Sequence, residues 1–199
     1  GALTTVSLQT MARGSMTPLP LEELQQLAAV GAMSAHLDST AGPADYGLAI
    51  RAMAEASRVC GATGFMMWCQ AVCGLYLQQS GNPALVGDVL QRHASGTGMG
   101  GTALSNPMKS FAQIEKFLLK ATPTEGGYLV NGTLPWVSNL AGNHYFGAIA
   151  SVVSDSGPAG KEVMFMLRCD APGVTLKGCP KFSGMEGTGT YAVRCKDLF

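Results

Sequence analysis

The chain has 199 residues, zero formal net charge and only 13% charged side chains, about half the usual share of ~25%. That balance carries no basic nucleic-acid footprint and no polybasic membrane patch. The length suits one large domain or two small ones with a sizeable buried core.

Residues 1–17 are polar and mixed, with no charged segment leading into an apolar one, so no secretory signal is read there. Helical periodicity follows. Pro20 opens "LPLEELQQLAAVGAMS", with two Glu in the first turn and apolar residues at 21, 24, 27 and 28. Pro43 opens "PADYGLAIRAMAEASRVCG", whose positions 46, 49, 50, 53, 56, 57 and 60 form one stripe. Residues 63–79, "TGFMMWCQAVCGLYLQQ", are apolar almost all round, which predicts a central buried helix with Trp68 inside. "NPALVGDVLQRHASG" predicts a fourth helix, with Asn82 as N-cap, Pro83 in the first turn and Gly96 beyond the end.

From Gly100 the period becomes two. Strands are expected near 101–106, 113–121, 126–131, 133–139, 144–153, 162–168, 173–177 and 188–196. Turn clusters at 122–127, 154–160 and 170–173 separate them. Asn131-Gly132 reads as a tight hairpin turn. Pro135 removes a ladder donor, so its strand should be an edge or bulged there. A helix block followed by a strand block predicts an α+β chain. The expected division is 1–99, an N-terminal helical domain, and 100–199, an antiparallel β-barrel-like middle domain.

Several motifs are decoys. "GTGMGG" at 96–101 resembles a phosphate loop, but a helix precedes it and a strand follows, the reverse of the dinucleotide order. It reads as a helix stop and hinge. The six cysteines form no CxxC pair, and no metal is expected; buried thiols in a reducing, cytoplasmic setting are the plainer reading. His36, His93 and His144 are scattered. His93 sits near a predicted helix end, where a cation favours the dipole. No residue in the chain completes an acid–base machine, so no catalytic residue is assigned.

The strand block carries one specific signal. "GGTALSNP" (100–107), then "GGYLVNGTLPWVSN" (126–139), then "FSGMEGTGTYAVRCKDLF" (182–199) follow in that order. This arrangement resembles the acyl-CoA dehydrogenase family, in which helices lead into a β-domain whose hairpin ends in a Trp followed by a hydroxyl. From the hairpin alone Trp136 is as well explained by core packing as by a ligand wall. With the ordered set, the resemblance implies FAD as cofactor. It places Trp136 along the flavin ring, Ser138 near its N5 and O4 edge, and Leu104 and Ser105 on the pyrimidine side. It further implies α,β-dehydrogenation of an acyl-CoA substrate, an electron-transfer partner and a homo-oligomer. The sequence departs from the family at Asn106, where Glu is usual, at "MKSF" (108–111), where a glycine-rich turn is usual, and at Leu134-Pro135. Phe199 falls where the family's C-terminal helical domain, with its catalytic Glu, would begin, so the chain is expected to be a portion lacking the base. Two alternatives share the fold: a flavin monooxygenase using reduced flavin and oxygen, and a non-catalytic interaction module.

Overall fold

The computed structural model describes residues 21–40, 42–154 and 157–199; the proposed opening of the first helix at Pro20 lies outside them. Helices α1 (Leu21–Ala29), α2 (Tyr46–Val59), α3 (Gly61–Gln79), α4 (Pro83–Val86) and α5 (Asp88–Ala94) come first. Strand β1 (Gly100–Thr102) leads into α6 (Ser105–Phe111). Strands β2 (Leu119–Thr124), β3 (Gly127–Val137), β4 (Tyr145–Ser154), β5 (Gly157–Arg168), β6 (Val174–Gly178) and β7 (Tyr191–Leu198) follow. The chain is α+β. It divides into two compact units: residues to Gly100 with Lys181–Gly189, and Gly101–Pro180 with Thr190–Phe199. Among the described residues no helix is long and apolar enough to cross a membrane.

In the first unit the Asn82 cap is the one the sequence suggests, and the structure adds a second cap at Asp45. The Asp45 carboxylate accepts from the Leu48 amide at 2.8 Å, and Asn82 Oδ1 accepts from the Ala84 amide at 3.0 Å. Gly87 splits the predicted fourth helix into α4 and α5. The core is built from Leu24, Leu27, Met33, Ala52, Met66 and Met67. Two expectations are corrected. Helix α2 buries Ala49, Ala52 and Ala56, while Tyr46 and Ile50 of the predicted stripe face solvent. A narrow stripe of alanines lets helices approach closely, and only that part of the wider apolar arc is covered. Helix α3 does bury most of its length, but Trp68 is 47% exposed and stacks on Phe65 at 5.7 Å between ring centroids.

The second unit is a seven-stranded sheet, mixed and open, in the order β1-β4-β2-β3-β7-β6, with β5 also on β4. Strand β4 pairs with β5 along one edge. Its other edge takes β1 near Gly147 and then β2, parallel, at Ser151 and Val152. That parallel pairing breaks the all-antiparallel arrangement expected from the turns. Leu119, Ala121, Val137, Phe146, Ala148 and Val193 form the centre of the core.

The turn at Asn131-Gly132 is also corrected. The two-residue loop is Glu125-Gly126, with Thr124 opposite Gly127. Strand β3 runs unbroken through Gly132. Opposite Asn131 it is β7 that bulges, at Lys196 and Asp197. Asn131 Oδ1 accepts from the Asp197 amide at 2.9 Å, and its Nδ2 donates to the Asp197 carboxylate at 3.2 Å. Gly132 has φ +141°, and a Cβ there would collide with the Leu118 carbonyl. The Asn-Gly pair therefore serves a bulge and a close backbone approach. The bulge expected at Pro135 is present. Leu134 opposes Val193 and Val137 opposes Tyr191, so β3 has one more residue than β7 between these pairs. Strand β5 begins at Gly157, inside the predicted 154–160 turn cluster.

Candidate functional site

The bulge at Pro135-Trp136 puts two consecutive residues outward between two buried ones. Leu134 is 2% exposed and Val137 is fully buried, while Trp136 between them is 51% exposed. A strictly alternating strand would have turned either Leu134 or Val137 away from the core. The extra residue keeps both anchors inside and leaves the indole at the surface.

Ser138 follows on the outward side and is half-buried. An isolated antiparallel bridge joins it to Thr102 of β1. Gly101 makes that bridge possible, because a Cβ there would collide with the Ser138 carbonyl oxygen. On its other side Ser138 meets the start of β7, where its Oγ lies 2.6 Å from Thr190 Oγ1. Three strands thus bring Thr102, Ser138 and Thr190 to one stretch of sheet rim beside the exposed indole.

Leu104 and Ser105 are two and three residues past the bridged Thr102. They are not on the expected strand: Leu104 precedes α6, half-buried with helical backbone, and Ser105 is its first residue and exposed. The strand expected over 101–106 ends at Thr102. Asn106 explains the turn. It is buried, its Nδ2 donates to the Lys116 carbonyl at 2.9 Å and to Glu115 Oε1 at 3.0 Å, and its Oδ1 accepts from the Leu118 amide at 2.9 Å. The side chain clamps α6 to the segment entering β2. Met108, Phe111, Ile114 and Leu118 are exposed on that stretch. The predicted strand over 113–121 accordingly starts only at Leu119.

The histidines have structural places. His144 Nδ1 donates to the Asn139 carbonyl at 2.8 Å, and burial holds its pKa below the usual range. His93 is fully buried and its pKa is pushed down to about 4, chiefly by desolvation, so it is no charged partner of a helix dipole. Burial raises the thiols of Cys69 and Cys169 to about 12, which makes them poor nucleophiles. Among the described residues no group of three or more acids, histidines and cysteines is placed to hold a metal.

An α-helical unit followed by a mixed sheet is a fold this chain shares with solved acyl-CoA dehydrogenase structures. The resemblance read from the ordered set of motifs is borne out by comparison with known proteins. The chain is 28% identical over 165 residues to a mitochondrial isovaleryl-CoA dehydrogenase of Oryza sativa subsp. japonica, covering 74% of this chain and 36% of that protein. It is 22% identical over 144 residues to cyclohexane-1-carbonyl-CoA dehydrogenase of Syntrophus aciditrophicus, covering 72% and 37%. Its fold matches butyryl-CoA dehydrogenase from Megasphaera elsdenii with a TM-score of 0.82 at 18% identity, over 98% of this chain and 52% of that one. The FAD complex of PigA matches with a TM-score of 0.78 at 22% identity, over 96% and 50%. No family model matches the chain. The chain thus spans little more than a third of these curated relatives and about half of these solved structures.

Thr190 was not singled out from sequence, and Asn106 was singled out only as a departure from the family motif. The only trace of Thr190 is a hydroxyl at the mouth of the last strand, in "GTGTYAV". Its partner lies 52 positions away, and that pairing exists only once the register is set.

Proposed function

We propose that this chain is the helical and sheet portion of a flavin-dependent oxidoreductase of the acyl-CoA dehydrogenase type. Its substrate would be an acyl-CoA thioester and its cofactor FAD. The curated relatives are acyl-CoA dehydrogenases, and one of the fold neighbours is a FAD complex. The single observation that carries the reading to particular residues is Trp136. A bulge holds this indole half-exposed beside a hydroxyl, although the strand could have buried it.

The residues fit a flat heteroaromatic group. An indole face is a favourable wall for such a ring. The Ser138 hydroxyl both donates and accepts, as ring nitrogens and carbonyls require. Leu104 and Ser105 follow the bridged Thr102 closely enough to reach the same rim, and we assign them to the ring's other edge. Bound flavin supplies the two-electron acceptor for the hydride leaving the substrate's β carbon. The chain's own part is to wall the ring, orient it and keep one face dry. No residue is assigned the role of the base that removes the α proton; that base and the electron-transfer partner belong to the whole protein.

A second reading draws support from α6 and its exit. Met108, Phe111 and Ile114 are exposed where the family's glycine-rich turn is expected, which suits a module that keeps the fold for protein contact. Titration of the full-length gene product with FAD separates the two. The enzyme reading expects a stoichiometric yellow complex, weakened or spectrally shifted by Trp136→Ala and Ser138→Ala. A full-length protein that binds no flavin leaves the module reading standing.

A further inference from the structure

We infer that Thr190 is a positioning residue that sets the direction of the Ser138 hydroxyl, so that the two hydroxyls form a reversible relay facing the flavin. The inference rests on the flavin reading of the site. Its observation is the 2.6 Å separation of Ser138 Oγ and Thr190 Oγ1, between half-buried side chains on strands joined next door by the Val137–Tyr191 pair. An O–H···O contact of that length is short for two neutral hydroxyls and ties both rotors together.

Each hydroxyl has one proton and two lone pairs. One proton lies between the two oxygens. When Thr190 supplies it, Ser138 accepts and its own proton is left to point outward as a donor. When Ser138 supplies it, Ser138 presents only lone pairs outward and the Thr190 proton turns elsewhere. The pair therefore shows either a donor or an acceptor at the same place, with no movement of heavy atoms. The N5 edge of an oxidised flavin accepts a hydrogen bond, and the same atom in the reduced ring carries N–H and donates. A hydroxyl facing that edge must serve both states. A lone serine would meet the change by rotating its proton to whatever acceptor is near. A serine tied to a second hydroxyl has a defined partner for each orientation.

The register explains why a threonine can do this. Val137 opposite Tyr191 places the residue after one strand beside the residue before the other. Ser138 and Thr190 are that pair. The Thr102 bridge holds Ser138 from the opposite side, so its backbone cannot drift away from Thr190.

The test uses the full-length protein with FAD, in the wild type, Thr190→Val, Thr190→Ser, Ser138→Ala and the double variant S138A/T190V. Valine keeps the shape of threonine and removes the hydroxyl. The readouts are flavin affinity, the position of the bound flavin's absorption bands, and the melting temperature of the flavin-free protein. Thr190→Val should weaken binding by roughly threefold to tenfold, the scale of one neutral hydrogen bond. It should move the bands in the same direction as Ser138→Ala. Thr190→Ser should restore both, and adding T190V to S138A should change nothing further. Wild-type affinity and bands in Thr190→Val, beside a clear shift in Ser138→Ala, overturn the relay and leave the flavin reading intact. Additive effects in the double variant also overturn it, because they show a packing role for Thr190. Unchanged binding in Ser138→Ala and in Trp136→Ala, measured beside them, takes the flavin away from this rim, and the relay goes with it.

Discussion

The ring of His93 is held 2.6 Å, by Nε2, from the backbone carbonyl of Gln70. A carbonyl only accepts, so Nε2 carries the proton and Nδ1 is the bare nitrogen. Gln70 Nε2 lies 3.3 Å from that Nδ1 and also donates to the Gly98 carbonyl at 2.9 Å, while its Oε1 accepts from the Gly100 amide at 2.8 Å. The network is closed around a neutral imidazole. A second proton on Nδ1 would face an amide N–H in a buried site.

The helical unit should therefore lose stability in mild acid. His93 has its folded-state pKa depressed from 6.5 to about 4. Above pH 6.5 both folded and unfolded forms are neutral and the full stability is present. As pH falls towards 4 the unfolded chain takes up a proton that the folded one refuses, and roughly 3 kcal/mol is lost. His36, in the same unit, is also depressed by burial and acts with the same sign. Denaturant melts at pH 7, 5.5 and 4 should show a steady fall, and a flat profile would mean that His93 is solvated or already charged.

Asn106→Leu should cost about 2 kcal/mol and loosen the segment between α6 and β2. The substitution keeps the volume and strips the Leu118 amide and the Lys116 carbonyl of their partner. Hydrogen exchange at the Leu118 amide is the sensitive measurement. It should speed up more than exchange in the centre of β4, whose pairing Asn106 does not touch.

Trp68→Ala should cost under ~1 kcal/mol, whereas Met67→Ala, one residue earlier, should cost about 2–5 kcal/mol. Met67 is buried in the helical core, and Trp68 is half-exposed against Phe65. A large loss from Trp68→Ala would show that the indole is covered in the folded protein.

These contrasts mark what a sequence can convey. Caps act within four residues, so Asn82 and Gly96 were readable where they stand. The bulge at Pro135 was readable because a missing donor is a property of one residue. Helix α3 is apolar all round, and nothing in such a pattern says which side the rest of the chain covers, so Trp68 was misplaced. Asn131-Gly132 has the composition of a tight turn, but the competing Glu125-Gly126 loop closes the hairpin instead, and the choice depends on a partner strand 60 residues on. Trp136, Ser138, Leu104 and Ser105 were named by an ordered set of local motifs. Thr190 was not, because its contact with Ser138 follows from the register of β3 on β7.

Gly101→Ala tests whether the rim is built as one piece. The added methyl would meet the Ser138 carbonyl oxygen and lie 2.9 Å from Leu140 Cδ2, so β1 must move away from the end of β3. Overpacking of this kind costs about 1–3 kcal/mol. The displacement should also reach the site. Strand β1 holds Ser138 through Thr102, and Ser138 holds Thr190 through its hydroxyl. The emission of Trp136, followed in a Trp68→Phe background, should shift in Gly101→Ala and stay put in Gly142→Ala, where a Cβ meets no neighbour within 4 Å. Loss of stability with no change at Trp136 would separate β1 from the site and confine Gly101 to a packing role.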